Sequence, residues 1–236
     1  FDFLVPGDPL TPGWPSTRGS RRLEPGDAPS LPTTMSVPIS TRDGQALRDA
    51  LRRGPVTAHV RVVNDDGVRP VWTVIGRITG SREPNQWVLA GNHRDAWVYG
   101  GVDPGSGSTV LMEMVRALGT LAKRAERPRR TIVFASWDAE EYAMSSSTEW
   151  GEEHADELQE KAIAYLNVDA GVSGPNLAAT AVPSLAGLVA SAAGVDERRV
   201  STHIGGGSDY AVFLNHLGIP IVDLRFEGPN GVYHSA

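Results

Sequence analysis

Trp87-Val88-Leu89-Ala90-Gly91-Asn92-His93-Arg94-Asp95 is the stretch on which the fold turns, because four apolar residues run without alternation into a polar cluster that opens at a glycine. A short continuous apolar run marks a strand buried on both faces, and such strands belong in parallel sheets covered by helices. The pattern recurs at residues 131–136, 162–168 and 219–226. Between these runs lie helical periods at 108–125 (Val110, Leu111, Met114, Val115, Leu118, Leu121), 146–158, 183–193 and 208–217. Strand and helix in alternation predict an α/β fold, with a mixed, mainly parallel central sheet and helices on both faces. Such sheets place their sites at the carboxyl ends of strands.

Upstream, residues 43–53 carry Ala46, Leu47, Ala50 and Leu51 at helical spacing, closed by Gly54 and Pro55. Two alternating segments follow, 56–63 and 68–78, joined by Asn64-Asp65-Asp66-Gly67, which reads as a hairpin forming an antiparallel edge of the sheet. Pro70 would sit near the start of the second strand. Eight of the 17 prolines fall in the first 38 residues, where no hydrophobic period exists, so residues 1–40 read as an irregular lead-in or linker. The expected organisation is a Pro-rich segment with a short helix over 1–55 and an α/β domain over 56–236.

Composition narrows the chemistry. The 236 residues are 40% hydrophobic and 21% charged, too apolar for a disordered chain, and no run approaches the ~18 apolar residues of a membrane helix. The net charge of −6, with scattered basic residues, argues against nucleic acid as a partner. No cysteine is present, which excludes disulfides, thiolate nucleophiles and sulfur-ligated zinc. Any metal must therefore be held by histidine and carboxylates. Neither a glycine-rich dinucleotide fingerprint nor a Gly-Lys-Ser/Thr loop occurs, so a nucleotide-binding reading fails.

Polar residues just past the strands then take on meaning. The first strand leads to His93 and Asp95, the second to Asp138, Glu140 and Glu141, the third to Asn167 and Asp169, and His234 lies beyond the last. Four strand ends on one edge each supply a side chain able to bind metal. Adjacent Glu140 and Glu141 would repel unless a cation or proton relieved them. First-turn acids favoured by a helix dipole are the alternative. His59, His154, His203 and His216 have no such partners and read as packing or surface residues.

The strings Gly91-Asn92-His93-Arg94-Asp95-Ala96-Trp97-Val98-Tyr99-Gly100-Gly101-Val102-Asp103-Pro104, Phe134-Ala135-Ser136-Trp137-Asp138-Ala139-Glu140-Glu141 and Ser147-Thr148-Glu149-Trp150 closely resemble the glutamate carboxypeptidase II-like branch of the co-catalytic di-zinc aminopeptidase and carboxypeptidase superfamily, which includes the transferrin receptor. Gly7-Asp8-Pro9-Leu10-Thr11-Pro12-Gly13 resembles part of that branch's apical domain. The resemblance covers nearly the whole chain. It implies the zinc exopeptidase, phosphorylase/hydrolase-like fold and two Zn2+ ions about 3.5 Å apart. Asp103 would bridge them, His93 and Asp169 would complete one ion, and Glu141 and His234 the other. Glu140 would be the general base, and Asp95 would orient the His93 imidazole. A cis peptide is expected at Asp103-Pro104 or at its immediate neighbour.

Other carried-over positions are less specific. Gly207 and Ser208 lie in Gly205-Gly206-Gly207-Ser208-Asp209, which resembles a glycine-rich turn lining the substrate cleft; a flexible loop with Ser208 as helix cap is the other reading. The branch has Asn where Ser208 stands. Tyr233 resembles a residue near the tetrahedral intermediate and otherwise reads as a rim aromatic. Arg225 matches one member of an arginine patch, whereas Asp223 replaces another, which argues against a strong preference for an acidic penultimate residue. Glu149 and Glu152 match a structural Ca2+ site, although a solvated acidic face explains the same spacing.

The resulting expectation is a zinc metallopeptidase, a hydrolase that cleaves a terminal peptide bond, with the carboxypeptidase favoured over an aminopeptidase. A receptor-like or scaffold relative without catalysis is the reading from another class, and filled ligand positions argue against it. Peptide is the expected partner, with a homodimer formed through a C-terminal domain of the relatives. Secretion or periplasmic export is expected from their habit. The 20 Arg against 2 Lys suggest a GC-rich bacterial coding sequence, and the start at Phe1 suggests a piece of a longer protein.

Overall fold

The computed structural model describes residues 6–65, 67–230 and 233–234. The chain divides into two compact units, Leu31–Pro70 on the one hand and Phe1–Ser30 with Val71–Ala236 on the other. The smaller unit contains helix α1 (Thr41–Arg53). Ser40 caps it, its hydroxyl accepting the Asp43 N–H at 3.1 Å, and Gly54 follows the last turn.

In the larger unit seven strands form one sheet: β1 (Val74–Ile78), β2 (Glu83–His93), β3 (Arg130–Trp137), β4 (Ala162–Asn167), β5 (Asn176–Ala181), β6 (Val200–Ser201) and β7 (Ile221–Glu227). Their order is β1-β3-β2-β4-β7-β5-β6. The central four, β3, β2, β4 and β7, are parallel, while β1 and β5 run antiparallel to their neighbours β3 and β7. Helices α2 (Gly105–Lys123), α3 (Ser145–Glu153), α4 (Ala155–Lys161), α5 (Pro183–Ala193) and α6 (Tyr210–Asn215) complete the unit. None of the described helices is long and apolar enough to cross a membrane.

Period-2 alternation of the strands sorts the core. Leu89, Val133, Ala135, Trp137, Tyr165 and Ile221 point to one face, where they pack with Leu158, Val212 and Phe213 of α4 and α6. Ala90 and Phe134 point to the other, against Leu111 of α2, and Val222 joins Ala186, Val189 and Ala190 of α5 there. Both faces are thus covered, which is why these strands read as continuous apolar runs.

The expected hairpin does not form. Residues 56–65 and 67–73 carry no strand, Asp66 of its turn lies outside the described residues, and β1 takes β3 as its partner instead. An antiparallel edge exists, but as a single strand. Val56, Val60, Val62, Val63 and Val68 are exposed, and a two-stranded ribbon with no apolar surface to cover is marginal in water. The reading also missed β5, because Asn176-Leu177-Ala178-Ala179-Thr180-Ala181 is alanine-rich and low in strand propensity; β7 supplies its ladder. The helix expected over 146–158 breaks at His154 into α3 and α4, and α6 is shorter than expected. The lead-in is irregular, yet residues 6–30 are tied to the larger unit, as by Gly7 N–H donating to Ala143 O at 2.6 Å.

One buried polar chain crosses the first core face. The Trp137 indole donates to the Tyr165 hydroxyl at 2.9 Å, which donates to Asn167 Oδ1 at 3.1 Å. Gly91 makes room for it: an added Cβ would stand 2.2 Å from Tyr165 Oη and 2.6 Å from Trp137 Nε1. Both rings are fully buried and cannot move aside. Gly91→Ala should therefore lower stability by about 1–3 kcal/mol or more, measured by denaturant unfolding. Gly119→Ala in α2, where a new Cβ meets nothing within 4 Å, should instead raise it by about 0.5–1 kcal/mol.

Candidate metal centre

The carboxyl ends of the parallel strands carry the polar residues read from the sequence to one edge. His93 ends β2 and is buried. The chain then passes through Asp103, whose bond to Pro104 is cis as expected, into α2. The start of α2 lies against the loop after β4, since a Cβ on Gly107 would meet Asp169 O at 2.0 Å and Val168 O at 2.1 Å. Asn92 closes that junction, donating to Val168 O at 2.8 Å while Ser108 Oγ donates to Asn92 Oδ1 at 2.6 Å.

Among the described residues two groups gather ligand atoms within 4.8 Å of one another: His93, Glu140 and Asp169, and Asp103, Glu141 and His234. Asp103 joins them. Its Oδ1 is 3.1 Å from His93 Nε2, and its Oδ2 is 3.0 Å from His234 Nε2. Asp169 Oδ1 lies 2.9 Å from His93 Nε2, Glu140 Oε2 3.8 Å from the same atom, and Glu141 Oε1 3.3 Å from His234 Nε2. All five expected ligands and Glu140 therefore meet. Proximity alone groups Glu140 with one ligand set, so its separation from the ligands as a base rests on the resemblance.

The electrostatics are those of a site built for cations. Burial opposes the His93 charge, yet its hydrogen bonds to Asp103, Asp169 and Asp95 outweigh that and hold the imidazole far above its ordinary pKa. Glu140 is pushed up to about 9, first by burial and then by Asp209, Asp169 and Glu141. Glu141 is raised by burial and by Asp103. Asp103 Oδ1 and Glu141 Oε1 are buried, each facing an imidazole nitrogen. Two imidazoles, several carboxylate oxygens and no sulfur form a donor set that fits zinc.

A family model supplies an independent line. That of peptidase family M28 matches residues 73–236. The chain belongs to peptidase family M28. A probable glutamate carboxypeptidase of Arabidopsis thaliana is 40% identical over 266 residues, covering 97% of this chain and 39% of the relative. An aminopeptidase of Mus musculus is 36% identical over 276 residues, covering 93% and 37%. An inactive zinc metalloprotease of Schizosaccharomyces pombe is 33% identical over 267 residues, covering 95% and 33%. The chain thus spans about two-fifths or less of the length of these relatives. They are eukaryotic, and the bacterial origin expected from the arginine excess gains no support from them. A solved aminopeptidase of Aneurinibacillus superposes with a TM-score of 0.56 at 21% identity, covering 84% of this chain and 50% of that one. A zinc aminopeptidase of Bacillus subtilis does so with 0.56 at 20%, covering 69% and 43%. Both show the fold.

Residues around the two groups do more than the motif suggested. Asp95 was expected to orient His93, and His93 Nδ1 is 3.0 Å from the Asp95 carbonyl and 3.4 Å from its Oδ1. The same carboxylate also accepts the backbone N–H groups of Glu140 at 3.0 Å and Glu141 at 3.2 Å. It therefore clamps the turn that carries both acids, a turn entered through Ala139 at φ 54°, a strained conformation for a residue with a Cβ. Asp209 escaped the sequence reading. It is fully buried beside Ser208, and burial pushes it up to about 7 against the opposing pull of the Ser147 hydroxyl. An acid immediately before an apolar helix was the available signal.

The substrate residues are placed differently from one another. Gly207, Ser208, Arg225 and Tyr233 line a cavity of about 260 Å³ that also touches Asp103 and Asp169. Ser208 is buried, and its hydroxyl donates to Asp169 Oδ2 at 2.5 Å while accepting from Asn167 at 3.0 Å. It holds the Asp169 carboxylate while lining the cavity. Tyr233 is exposed and stacks on the His234 ring at 3.9 Å.

The calcium expected on Glu149 and Glu152 gains no support. Glu149 accepts the backbone N–H groups of Asp8 at 2.8 Å and Ser16 at 2.5 Å, so its oxygens bind the lead-in rather than standing open to a cation. Glu152 Oε2 is buried with no hydrogen-bond partner among the described residues, and burial pushes that carboxyl up to about 7. A folded-state pKa above the unfolded 4.5 costs stability as pH rises from about 4.5 through 7. Glu152→Gln should flatten that part of a Tm-against-pH profile. Asp95→Ala should lower zinc affinity or turnover by about 10–100-fold, read by competition with a chelator and by assay.

Proposed function

We propose that this chain carries the active centre of a di-zinc exopeptidase, with the carboxypeptidase favoured and an aminopeptidase on the same metal core as the alternative. The observation that carries this is the Asp103 carboxylate, one oxygen beside each of two imidazoles that head separate ligand groups. His93, Asp103 and Asp169 would hold one zinc, and Asp103, Glu141 and His234 the other. When bound, zinc supplies Lewis acidity that lowers the pKa of water and polarises a carbonyl.

The protein groups then divide the remaining work. Glu140, with its backbone N–H held by Asp95, takes a proton from the attacking water and returns it to the departing amine. Tyr233, at the cavity wall beside His234, can donate its phenol hydrogen to the oxyanion that develops on the attacked carbonyl. The preference for the carboxypeptidase rests on the relatives named as such.

A scaffold without catalysis is the competing class, since one relative is named inactive. Metal analysis of the purified protein by mass spectrometry after dialysis against micromolar zinc separates the two. Two zinc per chain is expected; near-zero zinc would defeat the enzyme. Glu140→Ala should abolish turnover and keep zinc, whereas Asp103→Ala should weaken both ions. An acetylated aspartyl-glutamate dipeptide assayed against an aminoacyl anilide decides the direction, and cleavage of the anilide alone would make it an aminopeptidase.

A further inference from the structure

The cavity beside the metal centre has a wall that the proposed chemistry does not use. Past Asp103 and Asp169 it is bounded by strand β7, where Asp223 and Arg225, two residues apart, lie on one face of the strand. Their electrostatic situations differ. Arg225 Nε is 2.6 Å from Glu227 Oε1, both half exposed, so this positive charge already faces a negative one. Asp223 Oδ1 instead accepts from a neutral amide, Asn167 Nδ2, at 2.9 Å.

That amide is unusually well anchored. Asn167 is fully buried, its Oδ1 accepts the Tyr165 hydroxyl, and its Nδ2 also donates to Ser208 Oγ, which donates to the metal-side Asp169. Asp223 is therefore held in fixed register with the ligand shell through two neutral side chains. Resting on the peptidase reading above, we infer that Asp223 is a specificity residue and that this cavity takes a cationic side chain, lysine or arginine, from a residue flanking the scissile bond.

The charges on the wall favour this occupant. Asp223 and Arg225 line the cavity, and Glu227, outside the lining but next on the same strand face, pairs with Arg225. An acidic side chain approaching Arg225 would find Glu227 already at its Nε and would face Asp223 on the same wall. A cation meets a carboxylate already withdrawn from water, where attraction is stronger than at an open surface. Burial pushes the Asp223 carboxyl above its usual range, and an arriving positive charge offsets that cost. At about 260 Å³ the space suits one side chain, and the exposed Tyr233 ring offers cover for the alkyl stem of a lysine.

The test uses the zinc-loaded protein and peptides carrying Lys, Ala or Glu on either side of the scissile bond. Lys should exceed Glu in kcat/KM by about tenfold or more at one of the two positions, and the ratio should fall as salt rises. Asp223→Asn should bring the ratio near one, and Asp223→Lys should invert it. A wild-type ratio at or below one, or a ratio unchanged in both variants, overturns the assignment. Calorimetric binding of the same peptides reads the preference without turnover. Absence of cleavage with tighter Lys-peptide binding counts against the peptidase reading alone; equal binding of Lys and Glu peptides counts against Asp223; binding of none counts against both.

Discussion

Asp103 stands between the His93 and His234 imidazoles, with Asp169, Glu140 and Glu141 crowded around the same pair. So many acids at the mouth of an apolar sheet repel one another, and burial sharpens the repulsion because water cannot screen it. The fold must hold them together against that force, and the cost is met where cations bind. Much of the local architecture follows from this need. Asp95 grips the turn of Glu140 and Glu141 by its backbone, Ser208 fixes Asp169, and Asn92 locks the loop after β4 onto the start of α2. Each uses hydrogen bonds to fix a group whose charge would otherwise drive it away.

Stiffness beneath the site comes from packing too close for compromise. Gly91 lets the Trp137–Tyr165–Asn167 chain pass through the core, and Gly107 lets α2 approach the backbone of Asp169. Because Asn167 reaches both Ser208 and Asp223, the polar chain that begins under the hydrophobic core ends at the cavity wall. The support of a metal ligand and the placement of a candidate substrate contact are thus one construction. Family M28 membership says which reaction class to expect, while the charge on this wall bears on the side chain that the cavity would accept.

Much of the fold was legible because the period of burial is written in residue type. The runs at 87–90 and 131–136 are apolar on both sides because α2 covers one face and α4 and α6 the other. Where the signal failed, tertiary pairing had overridden local preference: alanine-rich β5 is a strand because β7 offers it a ladder, and the valine-rich segment 56–63 is not one because nothing lies beneath it. At the site, His93, Asp103, Glu140, Glu141, Asp169 and His234 were found by motif. Asp209 was missed, since an acid before a helix looks the same buried or exposed, and the Ser208 bond to Asp169 was not foreseen because the direction of a hydroxyl is not encoded in its neighbours.

By itself, then, the sequence determined the chemistry on offer: no cysteine, hence nitrogen and oxygen ligands, delivered at the ends of strands whose apolar pattern demands a covered sheet. That follows from residue type and period, which are local properties. Only the tertiary structure decided which oxygen of Asp103 faces which imidazole, that Asp95 clamps two backbone N–H groups, and that Asp223 accepts from the Asn167 amide while Arg225 pairs with Glu227. Those are matters of distance between residues far apart in the chain, and they exist only once the sheet has brought its strand ends to one edge.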